Sequence, residues 1–229
     1  MGINMNYKLI FLLPSRSRPI KFFNTIENIK ENCIGNNYEI VCVCEESDDT
    51  MNNEQVKLKV SLYPKVTLNF TTTTGKINAI NTGLNYLPKD YDILILVADD
   101  IVFTVKGFDS FIQQDMQKYF PNLDGILHYP DNIPQAGERQ ITMPVMGRKL
   151  VEYFGYIYHT DYHSVFCDNH QLAVTKILNK HKYIPNYFYQ HNHPAFGKGE
   201  NDNLYKYNES FYQKDSETYF KHLANNFEL

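Results

Sequence analysis

No stretch of this 229-residue chain stays apolar over the roughly 18 positions a membrane-crossing helix needs, so no transmembrane segment is expected. The opening MGINMNYKLIFLLP has an apolar run of about six residues before Pro14, too short for a signal-peptide core, and reads as a strand. Asn6 stands where a myristoylation signal starting at Gly2 needs Ser or Thr. Only four arginines occur, the lysines are scattered, and a net charge of -4 with a pI near 6.1 excludes a nucleic-acid-coating surface. The four cysteines, Cys33, Cys42, Cys44 and Cys167, provide neither a disulfide framework nor a zinc site. Cys42 and Cys44, two apart in an apolar run, share one strand face, where a mutual disulfide would be strained. They read as buried reduced thiols of a cytoplasmic protein. No glycine fingerprint of a dinucleotide fold and no P-loop pattern is present.

What is there is ordinary globular composition, 43% hydrophobic and 21% charged, which excludes disorder. The length suits one continuous core spanning 1–229. The front half, to about residue 128, alternates strand and helix signals. Lys8–Leu13 is a strand, and Phe22, Phe23, Ile26, Ile29 and Cys33 have helical spacing behind Pro19. Tyr38–Cys44 is apolar throughout, as a strand buried on both faces must be. Ser47 to Thr50 resembles a helix start, with Ser47 as cap and Asp48 and Asp49 complementing the dipole. Strands at Val66–Phe70, Asp92–Val97 and Asp124–His128 and helices from Thr74 and from Gly107 complete an α/β pattern with a largely parallel sheet. The back half, 129–229, is less regular: tyrosines and phenylalanines interleave with Pro and Gly to Tyr162, a helix runs Asp168–Asn179, and a helical tail starts near Glu209.

In such sheets ligands bind beyond the carboxyl ends of the strands. Asp99-Asp100 follows the apolar run DILILV and, at that place, suits a hard divalent cation bridging to phosphates; a solvated turn is the plain alternative. Glu45 ends the second strand and could accept hydrogen bonds from a base or ribose. Arg16 and Arg18 hold half of the arginine in the loop after the first strand, where their forks fit phosphate. Lys76, at the start of its helix, could neutralise a diphosphate. In an extended segment His191 and His193 point the same way, so one or both could complete a metal shell; the other six histidines read as structural. Asp168 is a candidate general base, or a plain N-cap.

In this order, PSRSRP after the first strand, VCVCEESDDT, GKINAINTGL before LILVADDI, Asp168 at a helix start and a late histidine motif resemble a GT-A-type glycosyltransferase of the family 2 class. The likeness runs from about Lys8 to Asp202. HNHPAFGKGEND further resembles small stand-alone transferases of phages and large viruses. The resemblance implies a GT-A fold, a UDP- or GDP-type sugar donor, Mn²⁺ or Mg²⁺, and a glycan or other hydroxyl acceptor. It puts Glu45 and the Arg16–Arg18 loop at the nucleoside, Lys76 and Asp99 near the ribose or diphosphate, Asp100 with His191 or His193 on the metal, and Asp168 as base in an inverting transfer of hexosyltransferase type. The motif departs from Asp-x-Asp, because Ala98 precedes Asp99-Asp100. Tyrosines between 129 and 162 suit stacking on sugar rings. Rival readings are a non-catalytic module of degenerate transferase fold that binds a sugar nucleotide or glycan, a sugar-nucleotide pyrophosphorylase, and a histidine-based metal hydrolase.

Overall fold

A computed structural model describes residues 6–133, 137–194, 197–199 and 201–229. Gly2 of the myristoylation pattern, and Ala195, Phe196 and Glu200 of the late motif, lie outside the described residues. β1 (Leu9–Pro14) meets water on neither face: Leu9, Phe11 and Leu13 enter one apolar layer, Ile10 and Leu12 the other. β2 (Tyr38–Glu45) divides in the same way, with Ile40, Cys42 and Cys44 on the first side and Val41 and Val43 on the second. Strands apolar on both faces have to sit inside a sheet that is covered on both sides.

They do. β3 (Val66–Thr71), β4 (Ile93–Leu96), β6 (Ile126–His128), β7 (Val145–Gly147) and β8 (His181–Tyr183) complete a seven-stranded sheet in the order β3-β2-β1-β4-β7-β6-β8. Only β7 is reversed against its neighbours, so every other strand ends at the same edge. α1 (Pro19–Asn32) and α4 (Phe108–Tyr119) cover one face through Phe22, Ile26, Phe108 and Ile112; α3 (Lys76–Thr82), α5 (Arg148–Phe154) and α6 (Cys167–Ile177) cover the other through Ile80, Leu150 and Leu172. Phe103 stacks on Phe108 with ring centroids 3.8 Å apart, and Phe11 meets both edge-on. Each such ring, fully buried, contributes about 1.5–3 kcal/mol. A two-stranded ribbon, β5 (Ile101–Phe103) against β9 (Tyr189–His191), stands outside the main sheet.

Three expectations need correction. The helix expected from Ser47 begins later, as α2 (Glu54–Val60), because Asn53 is the cap: its side chain accepts the Val56 N–H at 3.0 Å. Asp48 complements no dipole. It is buried and accepts the Ser17 N–H at 2.7 Å and the Thr50 hydroxyl at 2.6 Å, so it braces the loop after β1. The stretch 129–162 holds β7 and α5, and Tyr129, Tyr158 and Tyr162 are buried in it, which removes them as a sugar-stacking surface. The tail is two helices, α7 (Asn203–Glu209) and α8 (Tyr212–Ala224). All four cysteines are free, with Cys42 and Cys44 in the same apolar layer.

Candidate active site

Three neighbouring parallel strands deliver the expected residues to one edge: Ser15 to Arg18 follow β1, Glu45 ends β2, and Asp99 and Asp100 follow β4. Ser17 takes a left-handed backbone, φ 59°, which costs energy for a residue with a Cβ and is held by the Asp48 contact. Arg18 occupies the cap position of α1 without capping it, so its guanidinium is available elsewhere. Its Nη1 reaches Asp99 Oδ1 at 3.0 Å, and the Ser15 hydroxyl donates to Asp99 Oδ2 at 2.8 Å. Burial pushes the Asp99 carboxyl above its usual range, against the pull of Arg18 and Ser15. Arg18 also forms a fork with Asp202, the side chain that caps α7.

Asp100 faces the other way. Its Oδ1 lies 3.3 Å from His191 Nε2, and His191 Nδ1 lies 3.7 Å from Asp131 Oδ2. Asp131 follows β6, which points in the same direction as β4, so the imidazole sits between two strand-tip carboxylates. The backbone fixes this placement, since β9 pairs with β5 immediately after Asp100 and the Asn192 N–H donates to the Asp100 carbonyl at 2.9 Å. Burial opposes charge on both partners. For Asp100 the His191 contact outweighs it and the carboxyl stays below its usual range; for His191 the two carboxylates outweigh it and hold the ring up to about 9. His193 lies beside it, ring centroids 4.9 Å apart, and burial with the His191 charge pushes its pKa down to about 4.

A third group converges from the front and back halves. Glu45, 4% exposed, accepts the Gly75 N–H at 2.9 Å and pairs with Arg16 at 3.1 Å. Gly75 has φ +94°, a conformation that a side chain would strain, and it starts α3 with Lys76 next. The Lys76 ammonium donates to the Ser164 carbonyl at 3.1 Å. The segment of Ser164 is held from behind by Asp215 of α8, fully buried, which accepts the N–H groups of His163, Ser164 and Val165 at 3.0, 2.8 and 2.9 Å. Asp168 is the second residue of α6, not its cap, a position that falls to Phe166. Gln140 donates to Asp168 Oδ2 at 3.0 Å.

The structure thus brings together Arg18 with Asp99, Asp100 with His191 and His193, Arg16 with Glu45, and Lys76 with the loop before Asp168. A cleft of about 420 Å³ opens beside Asp99 and Asp100, lined also by Lys21, Thr25, Asn192 and Lys198. The donor set fits a divalent cation on one observation: Asp100 Oδ1, the oxygen that faces His191 Nε2, is buried and makes no hydrogen bond of good geometry. Sequence reasoning missed Asp131, Asp202 and Asp215. Only the coincidence of an isolated Asp with a strand end could have flagged Asp131, and Asp202 and Asp215 carry no local signal.

No protein-family model matches the sequence, and no curated protein matches it. Solved structures match its fold. A mannosyltransferase from Pyrobaculum calidifontis, in complex with GDP-Man and Mn²⁺, superposes with a TM-score of 0.62 at 16% identity, covering 80% of this chain and 55% of that one. S. aureus TarS gives 0.64 at 12% identity over 80% and 36%, and TarS 1–349 with UDP-GlcNAc gives 0.62 at 13% over 80% and 58%. This chain therefore spans less than two thirds of the length of each. Its fold is the GT-A-type α/β fold of these glycosyltransferases, a mostly parallel seven-stranded sheet flanked by helices.

Proposed function

We propose that this chain is a metal-dependent glycosyltransferase that moves a sugar from a UDP- or GDP-type donor to the hydroxyl of a glycan or other acceptor, with inversion. One observation carries the reading: Asp100 and His191, far apart in sequence, meet 3.3 Å apart at the strand-end edge of a fold shared with nucleotide-sugar transferases. Asp100 and His191, with His193 beside them, would hold a Mn²⁺ or Mg²⁺ ion, which when bound would offset the charge that develops on a leaving diphosphate. Asp131 orients the His191 ring, as outer carboxylates commonly do for metal-binding imidazoles. Glu45 accepts hydrogen bonds from the nucleoside, Arg16 and Lys76 offset phosphate charge, and Asp99 keeps Arg18 at the same edge. Asp168 takes the proton of the acceptor hydroxyl as that oxygen attacks the anomeric carbon and the nucleoside diphosphate departs; one direct displacement inverts the centre. Among the described residues no helix is long and apolar enough to cross a membrane. The buried free thiols support a reducing, cytoplasmic setting.

One observation favours the second reading, a non-catalytic module that holds a sugar nucleotide: the Arg18 fork is already filled by Asp202. Thermal-shift measurements across UDP- and GDP-sugars, with and without Mn²⁺, test both. The transferase reading expects a Mn²⁺-dependent rise in melting temperature with one donor class, plus slow donor hydrolysis that Asp100→Ala abolishes. Binding without hydrolysis selects the module, and no shift with any nucleotide overturns both.

A further inference from the structure

Outside the strand-end edge, three of the six histidines that read as structural come together. His159 sits on the loop between α5 and α6, His170 on α6 and His222 on α8. Their ring centroids form a near-equilateral triangle, His159 to His222 at 4.8 Å, His159 to His170 at 4.9 Å and His170 to His222 at 4.9 Å. Three imidazoles so close repel one another when protonated and are compatible only as neutral rings or as rings sharing a cation.

A carboxylate completes the group. Asp161 Oδ2 lies 2.9 Å from His222 Nε2 and 3.8 Å from His159 Nδ1. Tetrahedral zinc with ligands at about 2.0–2.1 Å spaces its ligand atoms about 3.3 Å apart, and the two observed distances bracket that value. His159 Nδ1 also accepts the Asp161 N–H at 3.3 Å, a long bond that an ion at Nδ1 would have to displace. His170 is tethered from the other side, Nδ1 to the Tyr162 hydroxyl at 3.0 Å, and walls the group. His222 is 6% exposed while the Asp161 side chain is 54% exposed, so an ion can reach the group from solvent without the core opening.

The geometry points to a zinc-class site, with His159, Asp161 and His222 as ligands and a water in the fourth position, that fastens α8 to the loop leading into α6. Two imidazoles and one carboxylate suit a borderline ion such as Zn²⁺. The site is independent of the strand-end carboxylates and stands whether or not the chain transfers sugars.

The test is a zinc count on the full chain, loaded with Zn²⁺ and dialysed against zinc-free buffer. The strand-end residues can take up zinc as well, so Asp100→Ala serves as the background: it should keep one equivalent that is lost when His159→Ala or Asp161→Asn is added to it, and Zn²⁺ should raise its melting temperature but not theirs. Asp161→Asn replaces an exposed side chain, so it remains informative if His159→Ala does not fold. Co²⁺ in place of Zn²⁺ should give the visible absorption of a four-coordinate N/O site. The proposal is overturned if Asp100→Ala retains no zinc, or if adding Asp161→Asn to it leaves its zinc content unchanged.

Discussion

Arg18 and Asp202 stand 184 positions apart and meet fork to fork, Nε to Oδ2 and Nη2 to Oδ1, both at 2.8 Å. With Nη1 on Asp99, every nitrogen of the guanidinium is taken. Burial disfavours the Arg18 charge, and Asp202 and Asp99 together more than restore it. A phosphate reaching Arg18 must therefore compete with Asp202.

Asp202→Asn keeps a cap for the Tyr205 N–H and removes the competing charge. It should tighten donor binding by about fivefold, the worth of about 1 kcal/mol for a partly exposed pair. Calorimetric titration with UDP and GDP reads this directly, and unchanged or weaker affinity would make the pair a framework contact only.

Asp168→Asn should lower turnover by about 10²–10⁴-fold and leave the donor dissociation constant in place, because in the proposed reaction the lost group acts on the acceptor proton. A parallel loss of donor affinity would assign Asp168 to the nucleotide instead. Steady-state kinetics with a separate binding measurement distinguishes the two.

Asp131→Asn tests the support of His191. Manganese affinity should fall by about 10–100-fold while binding of nucleotide alone is unaffected. Titration of Mn²⁺ by its electron paramagnetic resonance signal gives the comparison.

The Asp215 carboxylate satisfies three backbone donors at once, so Asp215→Ala leaves all three without their acceptor. Urea denaturation should show a loss of about 3–5 kcal/mol, with Asp215→Asn between it and wild type. A loss below about 1 kcal/mol would mean that water replaces the carboxylate.

Acid should weaken the fold through a second histidine pair. His128 Nδ1 and His181 Nε2 are 3.1 Å apart; burial lowers both pKa values, and for His181 the His128 charge adds to it. Below the ordinary value near 6.5 the unfolded chain then binds more protons than the native one, so stability present above that value is lost as pH falls toward the native pKa values. His170 acts in the same direction, and His191, held up to about 9, acts oppositely, its contribution fading as pH rises through about 9. Melting temperature should drop between about pH 7.5 and about pH 5, and His181→Gln should flatten the drop. An equal slope in the variant would locate the effect elsewhere.

The sheet was readable where residues are apolar on both faces: β1, β2 and β4 stand within a residue or two of their expected bounds. β7, three residues long, and α5, whose exposed side includes Lys149, Glu152 and Tyr153, produce too little periodicity to be seen. Strand-tip residues such as Glu45 and Asp100 were legible because chain order alone puts them at the edge. Asp48 was misread because its carboxylate answers Ser17, a residue with unusual backbone on another loop. Asp131, Asp202 and Asp215 acquire their roles from partners 50 to 184 positions away, and no local pattern encodes such partners.

The ribbon of β5 and β9 acts as a ruler. Ile101 lies opposite His191, so three paired residues decide which imidazole stands over Asp100. Because side chains alternate along a strand, slipping the β5–β9 pairing by one residue would turn that imidazole to the far surface and bring a neighbour in its place, with the seven-stranded sheet untouched. The spacing of the polar groups is thus written in main-chain pairing, and loops on either side can change length freely so long as that count of residues is kept.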